Sequence, residues 1–196
     1  MKIHGTAKGG ALSKHDFGVA FGGGNGGVPM VCYNADNLNT RYEFVYNTGS
    51  NTVIGAYING ASNPILVAGV DITTISIYIY AESDTSGGVF ALGVWDSGGD
   101  LKNESDTFTV DAMPVGTSPA NPTEKITKTI TSTTIADGDT IGIICKTPAS
   151  GDGRVETGGY DTSPSSNIPN WGRSVFTQGN APSPNDDRVL IICVNE

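Results

Sequence analysis

The fold is decided by the stretch that begins Ile72-Thr73-Thr74-Ile75-Ser76-Ile77-Tyr78-Ile79-Tyr80 and runs to Ile144. Within it, apolar residues recur at every second position, first at Ile75, Ile77 and Ile79 and then at Phe90, Leu92 and Val94. Successive side chains of a β-strand point to opposite faces, so each set lies on one face of its strand. The stretch therefore predicts antiparallel strands with one buried face, and it holds almost no side chain suited to catalysis.

These two alternating strands also predict a β-hairpin with an aromatic outer face. The hairpin would place Ile79 opposite Leu92 and Ile77 opposite Val94, across a turn at Ser86-Gly87-Gly88. Its other face would then carry three rings with small residues between them: Tyr78, Tyr80 and Trp95. We call these three residues the aromatic shelf.

Further strand signals lie on both sides of this pair. Segments rich in Val, Ile, Thr and aromatic residues alternate with turns rich in Gly, Asn and Asp. The predicted strands are 42–46, 52–58, 65–70, 72–80, 89–95, 107–110, 125–134, 140–145 and 188–194. Residues 189–194 are apolar throughout, as expected for an interior strand covered on both faces. About eight or nine short strands predict an all-β fold, a two-sheet antiparallel sandwich of the jelly-roll type.

A length of 196 residues suits a single domain, 1–196. Residues 1–40 are rich in Gly and Asn, with an apolar island at 17–21 before the glycine run 22–27. Ordering a glycine run costs entropy, so we expect an N-terminal arm or a loosely packed first strand. An apolar island tethered by glycines indicates an arm that adds to a neighbouring subunit.

Composition and charge argue against several classes of function. A formal charge of −9 and a pI near 4.5, with 11 scattered Lys and Arg residues, disfavour nucleic acid and anionic membranes. The longest apolar run, 189–194, is far shorter than the roughly 20 residues that span a bilayer, so we expect no membrane insertion. Residues 1–6 have no apolar segment after Lys2, so we expect no secretory signal.

The order of several turn-and-strand patterns resembles a known group of domains. The patterns are Ile75 to Tyr80, then Gly93-Val94-Trp95-Asp96-Ser97-Gly98-Gly99-Asp100-Leu101, then Ile135-Ala136-Asp137-Gly138-Asp139-Thr140-Ile141-Gly142-Ile143, and a last apolar strand. Together they resemble the carbohydrate-binding-module-like jelly rolls of phage, archaeal-virus and cell-surface proteins, over about residues 65–196. The resemblance implies a non-catalytic recognition or structural module, and it transfers no binding residue.

The chain offers few groups for catalysis. Its two histidines, His4 and His15, lie in the glycine-rich N-terminal region, where a rigidly held base is hard to build. The sequence has no Gly-x-Ser-x-Gly elbow, and its glycine run lacks the ending of a phosphate-binding loop. Carboxylates are plentiful, which leaves a glycosidase pair open without indicating one. We therefore expect a protein that is not an enzyme.

Three widely spaced cysteines, Cys32, Cys145 and Cys193, argue against a disulfide framework and a zinc site. We expect buried free thiols. The alternative is one disulfide between Cys145 and Cys193, since each lies on an apolar strand.

Four aromatic residues are the candidates for ligand contact: Tyr78, Tyr80, Trp95 and Trp171. Sugars stack their C–H faces on such rings, and the alternative is that these rings cover a sandwich edge or a subunit interface. Acidic residues lie mostly in turns, where aspartates usually bond to their own backbone. Calcium is the one candidate cofactor, and its best clusters are Asp137, Asp139, Asp186 and Asp187.

The combined pattern indicates a non-catalytic jelly-roll module on a virion or extracellular surface, acting in accessory, decoration or assembly roles. Virion proteins are released by lysis and need no export signal, which favours the viral version. Its partners would be other subunits, as a homo-oligomer, or a surface glycan. The alternative is a carbohydrate-binding module that uses an aromatic platform, and the third hypothesis is a glycoside-active enzyme.

Overall fold

The computed structural model describes eleven segments of the chain, and in them the protein is built from strands. The described residues are 18–20, 30–32, 40–44, 50–58, 69–82, 88–109, 124–148, 154–161, 171–185, 188–190 and 192–196. Their strands are β1 (Gly18–Ala20), β2 (Met30–Cys32), β3 (Thr40–Phe44), β4 (Thr52–Ile58), β5 (Asp71–Glu82), β6 (Val89–Trp95), β7 (Leu101–Glu104), β8 (Phe108–Thr109), β9 (Glu124–Thr134), β10 (Thr140–Thr147), β11 (Arg154–Asp161), β12 (Trp171–Thr177), β13 (Pro184–Asn185), β14 (Arg188–Leu190) and β15 (Ile192–Val194). The all-β prediction is confirmed for this part of the chain.

The strands form two antiparallel sheets, an arrangement consistent with a β-sandwich. The eight-stranded sheet has the order β1-β2-β15-β5-β11-β14, with β3 also on β11 and β9 on the free side of β5. The seven-stranded sheet has the order β13-β12-β4-β10-β6-β7, with β8 also on β6. The sheets contact each other where β9 meets β6 and β7, and where β14 meets β4 and β12.

Side chains also join the edges of the two sheets where β7 and β9 meet. Lys102 of β7 donates to the carbonyl oxygen of Thr134 at 2.7 Å, and Asn103 donates to that of Thr131 at 3.3 Å. Both acceptors belong to β9, so two backbone carbonyls of this strand have partners from the opposite sheet.

The predicted core faces of the central strands are buried. Ile75 and Ile77 of β5 have no exposed surface, and neither have Phe90, Leu92 and Val94 of β6. All three residues of β15 are also buried, which confirms an interior strand covered on both faces for Ile192–Val194.

The predicted hairpin between the two alternating strands is wrong. Ile77 of β5 pairs with Ile126 of β9, whereas Leu92 of β6 pairs with Ile143 of β10 in the other sheet. The residues of the aromatic shelf are therefore divided between two sheets. A strand's alternation is the same whether the chain turns back within a sheet or crosses to the opposite sheet, so periodicity did not distinguish the two connections.

Several strand bounds differ from the predicted ones. The predicted strand 188–194 is described as two strands, β14 and β15, and β11 and β12 were not predicted. Most of the predicted strand 65–70 lies outside the described residues. In the N-terminal 40 residues the structure describes β1, β2 and the start of β3, and β1 pairs with β2 of the same chain. The rest of the predicted arm, with its glycine run and both histidines, lies outside the described residues.

Candidate functional site

Trp95 lies in a buried cluster on one face of the seven-stranded sheet. Phe90, Leu92 and Val94 of β6 lie on the opposite face. The cluster comprises Val53, Ala91, Trp95, Ile144 and Phe176, with Leu101 packed against it, and we call it the Trp95 cluster. The indole has no exposed surface. It meets the Phe176 ring edge to face, with centroids 6.3 Å apart and planes at 82°. Its Nε1 donates to Oε1 of Gln178 at 3.4 Å.

A row of three glycines crosses the sheet beside this cluster. Gly55 of β4 lies opposite Gly142 of β10, which lies opposite Gly93 of β6. A Cβ at residue 93 would lie 3.1 Å from Cη2 of Trp95, and one at residue 142 would lie 2.1 Å from the carbonyl oxygen of Ile54. Side chains in this row would therefore displace the indole or separate neighbouring strands.

The two turns that follow the paired rings contact each other. The first turn, 96–100, follows Trp95, and the second, 177–180, follows Phe176. The amide of Gly179 donates to the carbonyl oxygen of Gly99 at 2.9 Å, which joins the turns directly. The indole is thus enclosed by its own chain, and in this structure it does not form the exposed surface on which a sugar would stack.

Asp96 supports its own turn, as expected for a turn aspartate. Its Oδ1 accepts from the amides of Gly98 at 2.8 Å and Asp100 at 2.9 Å. The backbone closes the same turn, since the Gly99 amide donates to the Asp96 carbonyl oxygen at 2.9 Å. This carboxylate is therefore used for structure.

Asp139, a predicted calcium ligand, forms a part-buried ion pair, in which the carboxylate is buried and the lysine is partly exposed. Its Oδ2 lies 2.7 Å from Nζ of Lys102 and accepts from the amide of Ala136 at 2.7 Å. An ammonium group at this oxygen disfavours a cation there, and calcium binding at Asp139 stays a prediction. Asp137 lies on the same turn with its side chain exposed.

Across the described ranges, no group of three His, Cys, Asp or Glu side chains is arranged to hold a metal ion. Asp186 and Asp187 lie outside the described residues. Calcium binding at these two residues stays a prediction.

The cysteines differ from each other in chemical state. Cys145 is a buried free thiol, and burial raises its pKa from the ordinary value of 9.0 to about 11. Such a thiol stays protonated near neutral pH and is a poor nucleophile. Cys193 is disulfide-bonded, so the expectation of free thiols is wrong for this residue. The alternative pair of Cys145 and Cys193 is also wrong, because Cys145 is a free thiol.

The other aromatic candidates are placed by their backbones alone. Tyr78 lies opposite Lys125 and Tyr80 opposite Glu156 in the eight-stranded sheet, while Trp171 lies opposite Ile58 in the seven-stranded sheet. Their side chains are outside the described part of the structure. Ligand contact by these three residues stays a prediction.

Sequence reasoning missed the residues that enclose Trp95. Phe176 and Gln178 belong to β12 and its turn, and Leu101 belongs to β7, two strands that were not predicted. The available signal was the cluster of strand-forming residues Val175, Phe176 and Thr177 before the turn residues Gln178-Gly179-Asn180.

Comparison of the chain with protein-family models, with curated proteins and with solved structures finds no match. In the part of the chain that the structure describes, no helix is long and apolar enough to cross a membrane.

Proposed function

We propose that this chain is a non-catalytic jelly-roll module that works in structure or recognition on a virion or other extracellular surface. Its strands support a jelly-roll arrangement, because the chain passes repeatedly between the two sheets from β4 to β14. Double-sheet folds of this kind commonly serve as capsid, lectin and surface domains. Fold alone does not decide function, so the proposal also depends on the chemistry of the described side chains.

The observation that carries the proposal is the disulfide at Cys193. Disulfides persist in oxidising surroundings and are rare where cellular thiols keep cysteines reduced. A protein that works on a virion or outside a cell meets those oxidising conditions.

Charged side chains add support for a non-catalytic role. Three carboxylates in the described ranges are held by ammonium groups: Asp139 by Lys102, Glu104 by Lys146, and Glu196 by Lys125. Each of these carboxylates has an ammonium partner, which fits a structural role for the pair. With a protonated thiol at Cys145, these groups offer no evident nucleophile.

Light scattering and a glycan array on the full chain test the proposal together. We expect one discrete homo-oligomer and no glycan binding. A chain without residues 1–27 should form a smaller oligomer if the arm joins subunits. Glycan binding that is lost in Tyr78→Ala, Tyr80→Ala or Trp171→Ala, with unchanged melting temperature, would support the carbohydrate-binding alternative. Hydrolysis of a glycoside panel would overturn the non-catalytic role.

A further inference from the structure

We infer that the disulfide partner of Cys193 is Cys32, so that a covalent bond joins the second strand of the chain to the last. The sequence holds three cysteines, of which Cys145 is a free thiol and Cys193 is disulfide-bonded. One cysteine remains within the chain to supply the second sulfur.

The backbone register supports this assignment independently of the count. β2 and β15 pair antiparallel, with Val31 opposite Val194. One step along each strand, in opposite directions, brings Cys32 opposite Cys193. Directly opposed residues of antiparallel strands have Cα atoms about 4.5 to 5.5 Å apart, which falls within the roughly 4.4 to 6.8 Å that disulfides span.

The bond would close a covalent loop that contains most of the chain. Residues 33–192 lie between the two cysteines, and they include β3 to β14 and the start of β15. A crosslink over so long a loop restricts the unfolded chain strongly and so favours the folded state. It would also fasten the β1–β2 pair, which the sheet otherwise holds through β15.

Formation of the bond requires an oxidant. The two thiols lose two protons and pass two electrons to a disulfide donor, such as an oxidised low-molecular-weight thiol or a thiol–disulfide oxidoreductase, as the S–S bond forms. This assignment of partners does not depend on the proposed function, because the count and the register hold whatever the protein binds.

Peptide mapping tests the assignment directly. Cleavage after Lys and Arg places the cysteines in three separate peptides, 15–41, 129–146 and 189–196. The full chain is equilibrated in a glutathione buffer rich in the oxidised form, its free thiols are alkylated under denaturing conditions, and the digest is analysed without reduction. We expect peptide 15–41 linked to 189–196, and alkylation of Cys145. A linkage of Cys145, or alkylated Cys32 and Cys193, would overturn the inference.

A set of serine variants tests the coupling between the two sulfurs. Cys32→Ser and Cys193→Ser should each lower the melting temperature by about 5 to 15 °C. The melting temperature of the double variant should be no lower than that of the less stable single variant, because either substitution alone already removes the bond. Cys145→Ser is the matched control, and its melting temperature should still fall on addition of a reductant, as that of the wild type does. Additive losses in the double variant, or a non-reducing gel that shows a disulfide-linked dimer, would contradict a bond within one chain.

Discussion

The backbone of Gly99 lies so close to Asn180 that a Cβ on the glycine would be 1.9 Å from the Asn180 carbonyl oxygen. Gly179 offers a matched comparison in the facing turn. It has the same φ of 87°, but no atom lies within 4 Å of its Cβ position. The contact between the two turns is therefore specific to Gly99.

We expect Gly99→Ala to destabilise the protein more than Gly179→Ala does. Both variants carry the cost of a left-handed backbone, about 1 to 2 kcal/mol, and Gly99→Ala adds about 1 to 3 kcal/mol of overpacking. The free energies of unfolding are measured by urea denaturation. Equal losses in the two variants would mean that the turns do not depend on this close approach.

Trp95→Ala should cost about 3 to 5 kcal/mol of stability, because the removed indole is fully buried against Phe176 and leaves a cavity. Gln178→Ala is the control for the hydrogen bond, and it should cost about 1 kcal/mol or less, since the bond is long and partly exposed. Guanidinium denaturation followed by circular dichroism gives both values. A stable Trp95→Ala protein that had lost glycan binding would instead favour a sugar platform.

Replacing Lys102 alone, which removes one partner of the ion pair with Asp139, should lower the stability of the protein. Lys102→Ala leaves a nearly unexposed carboxylate without its partly exposed counter-charge, which we expect to cost about 1 to 3 kcal/mol. Lys146→Ala is the matched control, because its pair with Glu104 is partly exposed and should contribute about 1 kcal/mol or less. Thermal unfolding of both variants measures the difference. Similar melting temperatures would show that Asp139 is stabilised mainly by the Ala136 amide.

Stability should fall between pH 9 and pH 11 through Cys145. The folded thiol keeps its proton up to a pKa of about 11, whereas the unfolded thiol loses it near its ordinary value of 9.0. Within that window the unfolded state releases a proton that the folded state retains, so rising pH favours unfolding. The full effect is about 2 to 3 kcal/mol. Urea denaturation across this range should show a smaller decline for Cys145→Ala, and parallel declines would contradict the assignment.

The sequence predicted local features well because they depend on neighbouring residues. The bounds of β4 and β6 match the prediction, and the turns at Asp96 and Asp137 follow from Asp-Gly chemistry. Pairing between strands depends on residues far apart in the chain, so the partner of β5 was not evident from its isoleucines. The burial of Trp95 depends on Phe176 of β12, and the residues of that strand do not alternate between apolar and polar.

The contacts of Lys102 and Asn103 with β9 have a consequence for aggregation. Among the described strands, β9 pairs with β5 alone and so lies at an edge. An edge strand presents unpaired backbone groups on which strands of other molecules can align and extend into fibres. Here the carbonyls of Thr134 and Thr131 accept hydrogen bonds from the facing sheet, and the register of β9 shifts between the partners of Ile72 and Thr74. An incoming strand would have to displace both side chains and follow an irregular edge, so this half of β9 is a poor template for fibre growth.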